Sequence, residues 1–141
     1  VWAKQIERDD FFAELPPANV RYELDYTPDW KFLDNNRFTL TANYTFEQVQ
    51  HPRIIGVEEF LNAHKLDFKR FAEDAKDFDL IPPPSGYLLT HFSWNADWKQ
   101  LHWRFQVQNI FNVSYRNYTD RIRYFADDLG RNFVGTLSWR F

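Results

Sequence analysis

At 141 residues and a net charge of −3, the chain has the length of one ordinary domain and no basic field that would draw nucleic acid. Aromatic residues make up 20% of it, and it has no cysteine, which excludes a disulfide scaffold and a thiolate metal site. No apolar run reaches the roughly 18–20 residues of a transmembrane helix, so any membrane role must come from strands.

Period-two alternation runs through most of the chain and predicts strands. The segment 1–6 is a first candidate. Val20, Tyr22, Leu24 and Tyr26 then alternate with Arg21, Glu23 and Asp25. After the compact turn sequence PDWKFLDNN, Phe38, Leu40, Ala42, Tyr44 and Phe46 alternate with Thr39, Thr41, Asn43, Thr45 and Glu47. A long connection follows over 51–85. Within it Leu61, Phe68, Phe71, Ala72, Ala75 and Phe78 recur at helical spacing before IPPPSG breaks the run. A partly helical loop is therefore expected over 57–80.

The next strand, 87–94, sets Leu88, Thr90, Phe92 and Trp94 against Leu89, His91 and Ser93. Only NADWKQ separates it from Leu101, Trp103, Phe105 and Val107, which alternate with His102, Arg104, Gln106 and Gln108. A second long connection covers 117–130. The closing strand alternates Phe133, Gly135, Leu137, Trp139 and Phe141 with Asn132, Val134, Thr136, Ser138 and Arg140.

Alternation also suits a soluble sandwich, whose strands have one dry face. Three features favour a membrane barrel instead. The strands are long enough to cross an apolar layer at a tilt. Aromatic residues gather near strand ends, at Tyr26, Trp30, Trp94, Trp98, Tyr115 and Trp139, where interfacial girdles sit. The inward face is polar along its whole length, which suits a solvated lumen. Separately, short and long connections alternate, so that both short turns fall on one rim, as expected of an outer-membrane barrel. Five or six strands do not close a barrel, and a sheet edge cannot face lipid. With no Met at Val1 and no leader after it, the expectation is a fragment whose N-terminal part lies elsewhere.

The stretch WRFQVQNIFNVSYRNYTDRIRYFADDLGRNFVGTLSWRF resembles the end of TonB-dependent outer-membrane receptors, in their Bacteroidetes-type form. The matching residues are Asn109, Ile110, Phe111, Asn112 and Tyr115, then Gly130, Arg131 and Asn132, then Trp139 and Phe141. PPPSGYLL and LPPANVRYEL are similar to earlier family phrases. Gln108 stands where the family often has a further Asn, and Gly135 lies one position early for the usual assembly signal.

The resemblance implies an all-β, antiparallel transmembrane barrel in the bacterial outer membrane, plugged and 22-stranded, of which residues 1–141 supply about the last five strands. It implies energised uptake of a scarce nutrient such as a ferric siderophore, haem or another metal chelate. TonB would act through a plug and TonB box outside this chain. Lipid and the barrel-assembly machinery are the other implied partners, and Trp139 and Phe141 would carry the assembly signal. The 57–80 loop would be extracellular.

Candidate ligand contacts lie in the last connection. Arg121, Arg123, Tyr124 and Asp127, with Arg116 and Asp128, would either clamp an anionic ligand or hold the loop through Arg–Asp pairs. His51, His64, His91 and His102 show no metal-ligand spacing. No catalytic constellation appears, so neither an enzyme nor a cofactor is expected. Two alternatives remain open: a non-transporting barrel serving as adhesin or assembly subunit, and a soluble all-β carbohydrate-binding module.

Overall fold

The computed structural model describes residues 4–5, 10–11, 15–56, 58, 62 and 78–141. The chain divides into two compact units. One gathers Val1–Ala18, Phe46–Gly86 and Arg116–Asp127; the other gathers Asn19–Thr45, Tyr87–Tyr115 and Asp128–Phe141.

The second unit is a five-stranded antiparallel sheet. Its strands are β1 (Asn19–Tyr26), β2 (Asp34–Thr45), β3 (Tyr87–Trp98), β4 (Leu101–Gln108) and β5 (Asn132–Trp139). They pair in chain order, each with its sequence neighbour. Among the described residues β1 and β5 each have one neighbour, so the sheet is open. The all-β, antiparallel expectation is met, and all five of the clear strands expected from alternation are present.

Register brings the apolar positions into continuous rows across the strands. Tyr26, Phe38, Trp94, Phe105 and Gly135 form one row, and Leu24, Leu40, Phe92, Val107 and Phe133 the next. Because side chains alternate with period two, one slip would turn every one of these groups to the other face. Cross-strand aromatic contacts reinforce the register: Phe38 stacks on Trp94 with ring centroids 5.7 Å apart, and Trp94 meets Trp103 edge-on at 5.5 Å. Yet this face is not a core. Tyr22, Leu24, Phe133 and Leu137 are all more than half exposed, Leu137 at 70%.

The short turns are built by side chains as much as by backbone. Between β1 and β2 the chain closes through Leu33 N–H to the Trp30 carbonyl at 2.9 Å. A bulge follows between Asp34 and Arg37, with Asn35 at a φ of 50°. The bulge turns Asn36 inward, where it is buried and accepts the Trp94 indole N–H at 2.9 Å. Asn35 donates to Asp97 at 2.7 Å. The turn expected over 95–100 shrinks to Lys99 and Gln100, because Ala96 and Trp98 keep to the apolar alternation and prolong β3. Lys99 takes a φ of 56°, and its ammonium sits 5.2 Å from the Trp98 ring. Both short turns lie at the same end of the sheet, as the parity of the connections requires.

The other unit carries short pieces. Lys4–Gln5 pairs antiparallel with Asp10–Phe11, so the candidate strand at 1–6 is met at two residues. Arg53–Ile54 pairs in parallel with Phe78–Asp79, and the Ile55 N–H extends that ladder to the Asp79 carbonyl at 2.8 Å. A 3-10 turn spans Arg121–Tyr124, capped by Asp120, whose carboxylate accepts the Ile122 N–H at 2.9 Å. Pro52, Ile55 and Tyr118 are buried here. Apart from residues 58, 62 and 78–80, the expected helical loop over 57–80 lies outside the described residues, as does His64.

Candidate functional site

The polar face of the sheet forms a trough of about 390 Å3. Arg21, Arg37, Asn43, His91, Asn95 and Arg104 are among its lining residues. Its charges are largely satisfied side by side. Arg21 pairs with Glu23 at 2.6 Å. Arg37 grips Asp25 through both Nη2 and Nε, the latter at 3.0 Å, and Thr39 adds a hydroxyl bond to the same carboxylate at 2.6 Å. With the Gln106 amide turned so that its oxygen faces Arg104, as its neighbours require, that oxygen accepts from Arg104 Nε at 3.1 Å and Nη2 at 2.8 Å. Arg37 and Asp25 thus form a cross-strand ion pair on this face. Arg104 remains with a neutral partner.

The four loop residues singled out from sequence do not converge on one ligand-facing surface. Arg123 and Tyr124 turn inward onto Asp79. Arg123 bonds one carboxylate oxygen through Nη2, and the Tyr124 hydroxyl donates to the other at 2.7 Å. The Arg123 guanidinium lies 4.6 Å from the ring centroids of both Tyr118 and Tyr124. Arg123 and Asp79 are each only 3% exposed, so this is a buried ion pair rather than a rim contact. Asp127 pairs with Arg116 at 2.5 Å, and Arg116 also donates to the Arg123 carbonyl at 2.8 Å. Arg121 is exposed. Arg–Asp pairing thus accounts for Arg116, Arg123 and Asp127.

Electrostatics follow from this packing. Burial opposes ionisation of Asp79, but the hydrogen bonds from Tyr124 and Arg123 outweigh it and hold the carboxyl below its ordinary range. Burial, with the Asp79 charge beside it, pushes the Tyr118 hydroxyl up to about 12 and raises Tyr124 as well. Asp79 is the partner of Arg123 and Tyr124 that sequence reasoning missed. It stands 44 residues from Arg123 and beyond a long connection, and no local pattern marks it.

The asparagines of the QNIFN phrase have structural roles. Asn109 and Asn112 take φ values of 51° and 53°. The Asn109 side chain accepts the Val113 N–H at 2.9 Å and donates to the Val113 carbonyl at 2.8 Å, while Asn112 accepts the Arg131 N–H at 2.8 Å. Asn tolerates this left-handed conformation and bonds nearby backbone in it. The phrase therefore ties the end of β4 to the start of β5. The terminal aromatics separate: Trp139 closes β5 and is exposed on the apolar face, while Phe141 lies two residues past the strand, fully exposed.

Among the described residues no group of three or more His, Asp or Glu is placed to hold a metal ion. His91 accepts the Asn109 N–H at 3.3 Å, and His102 bonds Asp97.

No family model matches the chain, and no solved structure does. It is similar to a curated protein, Oxidoreductase tpcJ of Aspergillus fumigatus, with 33% identity over 109 residues. That alignment covers 71% of this chain and 16% of the fungal protein, so the chain spans about a sixth of that relative's length. The relative's name points towards an enzyme, against the expectation from sequence.

Proposed function

We propose that this chain is a wall segment of an outer-membrane β-barrel of the TonB-dependent receptor kind, serving uptake of a small molecule or metal chelate. The observation that carries the proposal is the uncovered apolar face. Twelve large apolar side chains on the five strands are 40–70% exposed, from Val20 on β1 to Trp139 on β5. Full burial of such a side chain stabilises by about 1.5–3 kcal/mol, so at half that value their exposure forgoes on the order of 10–20 kcal/mol. That matches the whole stability of an ordinary domain, about 5–15 kcal/mol. Something must cover this face.

Lipid fits better than a second sheet, on two grounds. Trp94, Trp98, Trp103 and Trp139 crowd the end of the face nearest the short turns, while the next row, Leu24, Leu40, Phe92, Val107 and Phe133, holds no Trp or Tyr, a distribution suited to an interface and not to a uniform sandwich core. The opposite face is a continuous polar trough, suited to a solvated lumen. Further strands would pair with β1 and β5, since lipid tolerates neither open edge. The TonB-driven step, with plug and TonB box beyond this chain, is supported by the sequence resemblance alone.

The test is quenching of tryptophan fluorescence by brominated lipids after reconstitution. Strong quenching, lost in W94F/W98F/W103F/W139F, is expected. A monodisperse monomer in plain buffer with dispersed amide signals would overturn the proposal.

The similarity to a protein named as an oxidoreductase supports a second possibility, that the chain is a segment of a redox enzyme. Flavin or nicotinamide absorbance co-purifying with the protein would favour it over the receptor.

A further inference from the structure

The trough on the polar face of the sheet is lined by three arginines, and two of them are neutralised where they stand. Arg21 pairs with Glu23, and Arg37 with Asp25. Arg104 has no acid at ion-pair distance among the described residues. In the ladder it stands between Asn95 on β3 and Thr136 on β5, both neutral. Asp97, two residues beyond Asn95, is taken up by Asn35 and His102. The Gln106 amide oxygen occupies one edge of the Arg104 guanidinium, formed by Nε and Nη2. A guanidinium carries five N–H donors in a planar fork, so its other edge, Nη1 with the second Nη2 proton, remains open. The side chain is exposed, which puts that edge within reach of a solute. The surroundings are hydrophilic. Apart from Phe92, whose ring meets Phe38 on the apolar face, every residue lining the trough is polar or charged. Neutral His91 accepts the Asn109 N–H through Nδ1, so its own proton sits on Nε2 and makes that nitrogen a donor.

We propose that the trough binds a hydroxylated monocarboxylate, a sugar acid of the hexuronic kind. Its carboxylate takes the open edge of Arg104 in a two-pronged, charge-assisted contact. Its hydroxyls exchange hydrogen bonds with the side chains of Ser93, Asn95 and Gln106. The charge balance selects a monoanion: with Arg21 and Arg37 answered by acids, one positive charge is left over, and Glu23 and Asp25 repel any second negative charge. The lining selects a hydroxylated body, because an aromatic or aliphatic one would find no apolar surface to bury against. The trough's volume of about 390 Å3 lies at the small end of ligand sites, which run to about 300–1,000 Å3. All of its lining residues belong to one compact unit. The inference names a solute class for the uptake proposed above and rests on that reading for what binding serves, while the contact itself rests on the trough alone.

The test titrates the folded chain, in the detergent or lipid that supports it, with glucuronate, glucose and benzoate. Low salt is used, since an exposed guanidinium is screened at high salt. Glucuronate should bind saturably, with glucose and benzoate each weaker by about tenfold or more. Arg104→Gln should reduce glucuronate to the level of glucose. Thr136→Glu, which sets an acid beside Arg104 across the ladder, should do the same while leaving every lining residue in place. Arg104→Lys, which keeps the charge and loses the fork, should retain part of the affinity. Glucuronate that fails to saturate, binds no more tightly than glucose or benzoate, or is unaffected by Arg104→Gln overturns the assignment. Lipid-borne quenching of the sheet tryptophans on the same samples reports the membrane reading separately, and unchanged quenching in the variants shows their sheet to be intact.

Discussion

Asn112 and Gly130 meet in the same small space: a β-carbon on Gly130 would stand 2.6 Å from the Asn112 side-chain oxygen, which already accepts the Arg131 N–H at 2.8 Å. Gly130 is thus required for close approach, not for backbone freedom, since no described glycine has a positive φ. Gly130→Ala should destabilise by about 1–3 kcal/mol through overpacking and displacement of that bond. Asn112→Gly keeps the left-handed φ of 53° without strain and removes the obstacle. The double variant should therefore lose less than the two singles combined, by about 0.5–3 kcal/mol of coupling in chemical denaturation. Strict additivity would mean that the two residues do not share the space.

The sheet was legible in the sequence because its signal is local. Alternation at Phe38, Leu40, Ala42 and Tyr44 names both the strand and its dry face, and a face missing its cover does not alter the pattern. Even the misplaced turn was legible: Ala96 and Trp98 continue the alternation, and only the polar look of NADWKQ suggested an earlier end to the strand. The loop site was not legible. Arg123 and Tyr124 stood out as charged and aromatic groups in a long connection, but their partner Asp79 lies across another long connection. Ion pairing over that distance leaves no period to read. Asn109 and Asn112 were visible only as part of a resemblance, and their geometry now supplies the physical reason for them.

The Asp79–Arg123 pair sets an acid limit on its unit. Removing one member of a buried pair strands the other charge and costs about 3–5 kcal/mol, so Asp79→Asn should be severe, whereas Tyr124→Phe should cost about 1 kcal/mol. The folded pKa of Asp79 is depressed, so its stabilisation is complete above the ordinary carboxylate value of about 3.9 and is lost as pH falls through the lower, folded value. Melting followed against pH should show a decline in that acid window for the native protein and a flatter profile for Asp79→Asn. The same profile in both would remove Asp79 as its cause.

Tyr118 sets the alkaline limit. Its folded pKa of about 12 lies above the ordinary value of about 10, so the folded state holds the phenolic proton more tightly. The stability this contributes is whole below pH 10 and falls away as pH rises towards 12. Ultraviolet titration should find a tyrosinate transition near 12 that is missing in Tyr118→Phe. Ionisation of Tyr118 near 10 would mean that its ring is more open to water than the 2% exposure indicates.

Adjacent residues on β5 separate the possible covers of the sheet. Leu137 lies on the apolar face and Thr136 on the polar face, and both are exposed. If lipid covers the apolar face, Leu137→Arg introduces a charge into hydrocarbon, at about 2–4 kcal/mol near the midplane and less towards an interface. Thr136→Arg adds one more cation to a trough that already holds Arg104 across the ladder, a much smaller change. The Leu137 variant should therefore reach the folded, detergent-resistant state in reduced yield, and the Thr136 variant should match the unmodified protein. If the sheet were a soluble module with that face bare, the order would reverse, because a charge at Leu137 would replace an exposed apolar group and improve solubility. If another protein layer covers the face, Leu137→Arg should still fail, but lipid-borne quenchers would not reach Trp94 or Trp139. The ordering of these two variants, with quenching measured on the same samples, therefore distinguishes lipid, water and protein as the neighbour of the apolar face.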